Sequence, residues 1–168
     1  GECYEQLGET DRRREAFQQA VPVDPTDPLW VSARVRLADA LADTGRPSEA
    51  ARVYQELAAR SPAARVPLAR LRFLAAARQP AEGRDWGSVE AALEGAPRSV
   101  EADLLRADLD AAKAGSDDLN KLRGAYVQVK ATYPDAVEPY LALAGLEYRA
   151  KDPAKAAEWL AEANKNPK

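Results

Sequence analysis

Residues 46–62 read RPSEAARVYQELAARSP, and this stretch decides the fold. Pro47 suits the first turn of a helix, where the N–H it lacks would have no intrahelical partner anyway. Ala50, Val53, Tyr54 and Leu57 follow at three- and four-residue spacing, which lines them up on one apolar stripe. The pattern predicts a helix over 48–60, stopped by Pro62. Just upstream, Gly45 supplies the left-handed stop that a helix end favours. Before it, Trp30, Ala33, Leu37, Ala40 and Leu41 form the stripe of a second helix over 28–44. Two amphipathic helices separated by a tight turn make a hairpin with one apolar side.

The hairpin recurs along the chain. Prolines stand at 25, 62, 97, 134 and 167, at intervals of 37, 35, 37 and 33 residues, and Phe17, Tyr54 and Tyr126 each precede one of them by eight. Such an interval marks a stacked repeat protein, whose units bury their apolar faces only against one another. Further helices are expected over 10–21, 64–78, 86–94, 99–114, 117–133, 137–150 and 153–165, with the tail of another over 2–7. Leu68, Leu71 and Ala75 are in phase on the helix over 64–78, and residues 79–85 form the longest turn. Ser116, Asp117 or Asp118 supplies an N-cap. Alanine is abundant, Val, Ile and Thr are sparse, and no stretch alternates, so no strand is expected.

The spacing resembles the tetratricopeptide repeat, a helix–turn–helix unit of about 34 residues with small residues at the helix crossing and a closing proline. Gly8, Phe17, Ala20 and Pro25 keep its pattern in an incomplete first unit. Leu37, Ala38, Gly45, Ala50, Tyr54 and Pro62 keep it in the second, and Tyr140, Leu143, Ala144, Ala156, Leu160 and Ala163 in the last. Leu37-Ala38 and Leu143-Ala144, Pro47 and Pro153, and Ala50 and Ala156 are each 106 residues apart, about three repeats. The resemblance implies an all-α, right-handed superhelical solenoid of antiparallel helix pairs, with a partial repeat over 1–25 and repeats at about 28–62, 63–97, 98–134 and 135–168. Three departures stand out. Arg13 occupies a small-alanine position, the third unit has an enlarged turn and a short second helix, and the fourth carries about one extra helical turn before Gly115.

Composition narrows the chemistry. Of 168 residues, 46% are apolar and 30% charged, which fits a folded chain, and the net charge of −3 points to no polyanionic partner. There is no histidine, and no phosphate-binding glycine loop or GxSxG or CxxC motif occurs. No catalytic residue, cofactor or metal site is therefore expected. The lone Cys3 reads as a small buried hydrophobe, and Asp103, Asp108, Asp110, Asp117 and Asp118 read as solvated helix face or N-cap. Arg12-Arg13-Arg14 reads as a solvated face or a packing surface; without interleaved aromatics it makes no nucleic-acid patch. No apolar run reaches membrane-span length, so no membrane insertion is expected. The chain opens on what reads as mid-helix and contains no methionine, the look of a piece of a longer protein. Nothing here fixes localisation.

The remaining expectation is a binding surface for a protein or peptide partner, in the concave groove that the resemblance implies. Ser32, Arg36, Asp39 and Asp43 share one polar face of the helix over 28–44 at i, i+4, i+7 and i+11. In the same phase Arg70 and Phe73 face the groove from the next unit, where residues 65–78 hold four arginines and no acid. An aromatic flanked by arginines suits an acidic-aromatic peptide. The family's clamp for peptide carboxylates, built on asparagines and lysines, is not matched by Arg36 and Arg70. Trp30 is expected to pack at the junction of the first two units, Trp86 could anchor at the surface, and Trp159, beside a buried Leu160, could cover the end of the array or pack on a further unit; all three read more as core than as site. The leading functional expectation is a non-catalytic interaction scaffold. The alternatives are a regulatory or targeting segment of a larger enzyme and a structural array in an oligomeric or envelope assembly.

Overall fold

Helix ends in this chain are written by local chemistry. The computed structural model describes residues 9–20, 29–115 and 118–165. Among them are nine α-helices: α1 Thr10–Ala20, α2 Trp30–Asp43, α3 Pro47–Ala58, α4 Arg65–Ala77, α5 Trp86–Leu93, α6 Val100–Lys113, α7 Leu119–Thr132, α8 Glu138–Arg149 and α9 Pro153–Ala163. No strand occurs among the described residues. Cys3, Gly8, Pro25, Ser116, Asp117, Pro167 and the helix expected over 2–7 lie outside them.

Four helices begin on a side-chain cap that takes up orphan backbone N–H groups. Asp85 accepts from Ser88 N at 3.0 Å, Ser99 from Ala102 N at 3.2 Å, Asp118 from Asn120 N at 3.0 Å and Lys121 N at 3.2 Å, and Asp152 from Lys155 N at 3.0 Å. Asp118, one of the caps expected between α6 and α7, acts as such. Pro47 and Pro153 occupy first-turn positions, as their fixed φ favours. The turns after α2, α6 and α8 each pass through the left-handed region, at Gly45 (φ 74°), Gly115 (φ 59°) and Lys151 (φ 61°). Turns this short leave consecutive helices antiparallel and side by side.

The chain divides into two compact units, Gly1–Ala96 and Pro97–Lys168. In the first, α2 packs on α1 and α3, and α4 on α3 and α5. Fully buried Ala38, Ala50 and Ala69 let the helix backbones approach, while Leu37, Leu41, Tyr54, Leu57, Leu68, Val89 and Leu93 fill the space between them. Trp30 is buried and lies between two guanidinium groups, Arg34 at 5.3 Å and Arg60 at 5.1 Å from its ring centre. These are cation–π contacts within its own hairpin.

The inward face of α4 differs from the expected stripe. Leu68, Ala69 and Ala76 are buried, Ala75 is exposed and Leu71 only partly covered. Nearly every position from 68 to 77 is apolar or arginine, so the neighbouring helices rather than the pattern choose the face.

In the second unit, α7 packs on α6 and α8, α9 on α8, and α6 also touches α8. The core cluster is Leu122, Tyr126, Leu143 and Leu146, with Leu104, Ala107, Leu119 and Trp159 packed against it. Leu160, expected inside, is 49% exposed. Ala156 and Ala163 mark the buried face of α9, and the larger Trp159 takes the place between them, its ring edge-on to Tyr140 at 6.4 Å. Trp159 is thus partly buried against the core cluster, in line with the core reading of the tryptophans.

Two more expectations change on contact with their neighbours. Arg13 is buried and donates to the Asp43 carboxylate of α2, so an ion pair replaces the small-residue crossing. Arg14 is also largely covered and pairs with Asp11 at 3.2 Å, whereas Arg12 stays exposed and meets Glu9 at 3.0 Å. The triple-arginine run is therefore not a uniformly solvated face. Asp103 and Asp108 are likewise not solvated-face residues, because each accepts a tyrosine hydroxyl from α7 or its C-terminal end, Tyr133 at 2.9 Å and Tyr126 respectively.

Candidate functional site

The helix face expected to bind a partner is partly committed to the fold. On α2, Arg36 is exposed, as a groove residue requires. Asp39 accepts the hydroxyl of buried Tyr54 from α3, and Asp43 holds Arg13 of α1 while remaining 57% exposed along its side chain. Two carboxylates one helical turn apart repel, and these two contacts offset that repulsion. In return they act on Tyr54. Burial, then the hydrogen bond to Asp39, then the two negative charges push its phenol well above the ordinary tyrosine value.

The four arginines of residues 65–78 divide into two pairs. Arg65 donates to the Glu94 carbonyl at the end of α5, and Arg72 to the Ser88 carbonyl at 2.9 Å and to Gln55, so both fasten α4 to its neighbours. Arg70 and Arg78 are exposed. Phe73 is half-buried, its ring tilted 37° against Trp86 with centroids 5.4 Å apart. Trp86 is accordingly not a free surface anchor, since part of its ring is spent on Phe73. Phe73 in turn keeps only one side toward solvent.

Beside these residues, α2, α3 and α4 enclose a hollow of about 460 Å³. Asp43 lines it with Ser48, Leu71, Leu74 and Arg78; Arg36, Asp39, Arg70 and Phe73 do not. Leu74, 45% exposed, is the apolar residue at this surface that the sequence pattern passed over. Its signal was present: Leu74 follows Arg70 by four and precedes Arg78 by four, hence the same helix face. The assembled surface offers two guanidinium groups, an apolar side chain between them and one carboxylate at the edge. Among the described residues no group of three or more His, Cys, Asp or Glu is placed to hold a metal ion, and no helix is long and apolar enough to cross a membrane.

No family model and no curated protein matches the sequence. Solved structures do. The chain is similar to the thermophilic protein TTC0263 of Thermus thermophilus, described as a TPR protein, with TM-score 0.73 and 22% identity over 96% of this chain and 85% of that one. It is similar also to MamA, with TM-score 0.60 and 16% identity over 97% and 91% of the two chains. A MamA from Desulfovibrio magneticus RS-1 gives TM-score 0.59 and 16% identity over 98% and 89%. At these identities the likeness speaks for the fold, and it agrees with the proline interval, the small-residue crossings and the left-handed turns. The chain has the tetratricopeptide-repeat fold, an all-α array of helix pairs built from degenerate repeats.

Proposed function

We propose that the chain is a non-catalytic protein–protein interaction scaffold. It takes an acidic-aromatic peptide or partner helix on the groove face carrying Arg36, Asp39, Asp43, Arg70 and Phe73. One observation carries this reading: residues 65–78 hold four arginines and no acid, and Arg70 and Arg78 flank an exposed Leu74 beside the half-exposed Phe73. Arginine and aromatic side chains supply most hot-spot energy at protein interfaces, and a cationic surface selects partners that bring carboxylates. Asp39 and Asp43 hold the edge of this face in shape through Tyr54 and Arg13.

The test is a titration of a labelled acidic-aromatic peptide against wild type, Arg70→Glu and Phe73→Ala. Arg70→Glu is the cleaner variant, because Phe73→Ala also removes packing on Trp86. Weakening of about tenfold or more with Arg70→Glu is expected from reversing one interfacial charge. Unchanged affinity in both variants overturns the assignment.

A further inference from the structure

A second hollow, of about 800 Å³, lies within the second unit, between the start of α6 and the loop from α7 into α8. Its walls are apolar, from Val100, Pro134, Val137 and Leu141, and Asp135 and Glu138 stand on its lining. Leu141 is 51% exposed. One turn and two turns along α8 the same face continues through Gly145 to Tyr148, which is 74% exposed. A Cβ added at Gly145 would meet nothing within 4 Å, so the strip from Leu141 to Tyr148 is open. Neither Asp135 nor Glu138 makes an ion pair with a described residue. Arg106, a cation of the same unit, is taken by Asp103 at 2.6 Å.

We propose that this hollow docks a basic peptide segment, seating one apolar side chain against Leu141 and placing flanking lysines or arginines on Asp135 and Glu138. Charge complementarity selects this occupant. An acidic segment would bring carboxylates up to two carboxylates that already lack a partner, and a neutral one would leave them unmatched. Size agrees, because the volume falls in the range of sites that take a ligand of several groups, larger than one ion or one side chain needs. The hollow is built by the second unit alone and the groove face by the first, and they attract partners of opposite charge, so the two assignments stand or fall apart.

The experiment uses labelled pentapeptides with Leu, Phe or Trp at the centre and either two lysines or two glutamates on each side. Fluorescence anisotropy is read against the whole chain at low and at high salt. Lysine-flanked peptides bind, glutamate-flanked ones do not, and added salt weakens binding because exposed charges are screened. Asp135→Asn combined with Glu138→Gln weakens binding about tenfold, the combined effect of two exposed charge contacts. Leu141→Ala weakens it independently, with far-UV circular dichroism checking that both variants stay folded. Failure of every lysine-flanked peptide to bind at about millimolar concentration, equal binding of the glutamate set, or unchanged affinity in the double variant overturns the proposal. Sedimentation velocity on the chain alone is the last arm. Self-association that the double variant abolishes would put a second copy in the hollow and overturn the peptide assignment as well.

Discussion

Two buried tyrosines, Tyr54 and Tyr126, end on a carboxylate rather than in water. Each stands eight residues before a repeat-closing proline and reaches back to the first helix of its own pair, to Asp39 and Asp108. Their sequence separations are 15 and 18 residues, so the extra helical turn of the fourth unit lies between Asp108 and Tyr126. Removing one hydroxyl loses a hydrogen bond to a charged acceptor, and Tyr126→Phe is expected to cost about 1–2 kcal/mol in urea unfolding at neutral pH. For both phenols burial, then the carboxylate, raises the native pKa. The native state therefore keeps its protons where the unfolded chain releases them. Stability is full below about pH 10, the ordinary tyrosine value, and falls as pH rises from there toward the raised native one. Tyr126→Phe should flatten part of that alkaline slope; an unchanged slope would show that this hydroxyl plays no part in it.

Glu147 is the other decisive residue, at 1% exposure the deepest charge among the described residues. Arg123 grips it with two bonds, Nε to Oε1 at 2.6 Å and Nη2 to Oε2 at 2.8 Å, and Lys155 stands 3.8 Å away. The buried indole N–H of Trp159 faces the same carboxylate, outside strict hydrogen-bond geometry. The Arg123 hydrogen bonds outweigh the opposing effect of burial and hold the carboxyl below its usual range. Glu147→Ala empties a buried site and leaves the partly exposed Arg123 without its two charge-assisted bonds, so it is expected to cost about 3 kcal/mol. Glu147→Leu with Arg123→Met should recover most of it, since Leu41 fills the matching position 106 residues earlier. The pair's contribution is complete above the ordinary carboxylate value of about 4.3 and is lost as pH falls from there through the lowered native value. Urea midpoints of wild type should drop in that window more than those of the variant carrying both Glu147→Leu and Arg123→Met.

At the scale of elements, two of the left-handed turn residues make a natural comparison. Gly45 and Lys151 are 106 residues apart and occupy the same position after the first helix of their units, yet only one is glycine. A Cβ at Gly45 would meet nothing within 4 Å, so Gly45→Ala is opposed by backbone strain alone, about 1 kcal/mol. Lys151 already bears that strain, and Lys151→Gly is expected to stabilise by about 0.5–1 kcal/mol, seen as a raised thermal midpoint. A drop in midpoint would mean that the Lys151 side chain has a favourable contact worth more than the strain. Turn positions of this kind were legible in the sequence because glycine and proline punctuate each hairpin. So was α3, where polar residues between the apolar ones leave a single inward face. The face of α4 was not, because Leu68, Leu71, Leu74, Ala75 and Ala76 satisfy more than one phase. Leu160 misled for a related reason, as alanines surround it on both sides of α9 and the bulk of Trp159 settles the orientation. Of the residues expected in the groove, the exposure of Arg36 and Arg70 followed from helical phase alone. The partners of Asp39 and Asp43 lie 15 and 30 residues away on other helices, and no spacing rule reaches them.

For the whole molecule, the contact pattern predicts how a local injury spreads. Within each unit the described helices pack on their chain neighbours, and α6 with α8 is the substantial contact that skips a helix. In such arrays stability approximates a sum of unit terms and nearest-neighbour terms, without one core that all helices share. Glu147 belongs to α8 and is tied to α7 through Arg123 and to α9 through Lys155. Losing about 3 kcal/mol there should raise native-state hydrogen exchange by about a hundredfold for amides that open with those helices. In Glu147→Ala, the slowest amides of α7, α8 and α9 are therefore expected to lose protection, while those of α2 and α3, with their own core around Leu37, Leu41 and Leu57, change little. Mass-spectrometric exchange resolved to single helices separates the two regions. Equal loss in α2 and α3 would show that the chain opens as one cooperative block, and the repeat-by-repeat account of its stability would have to be given up.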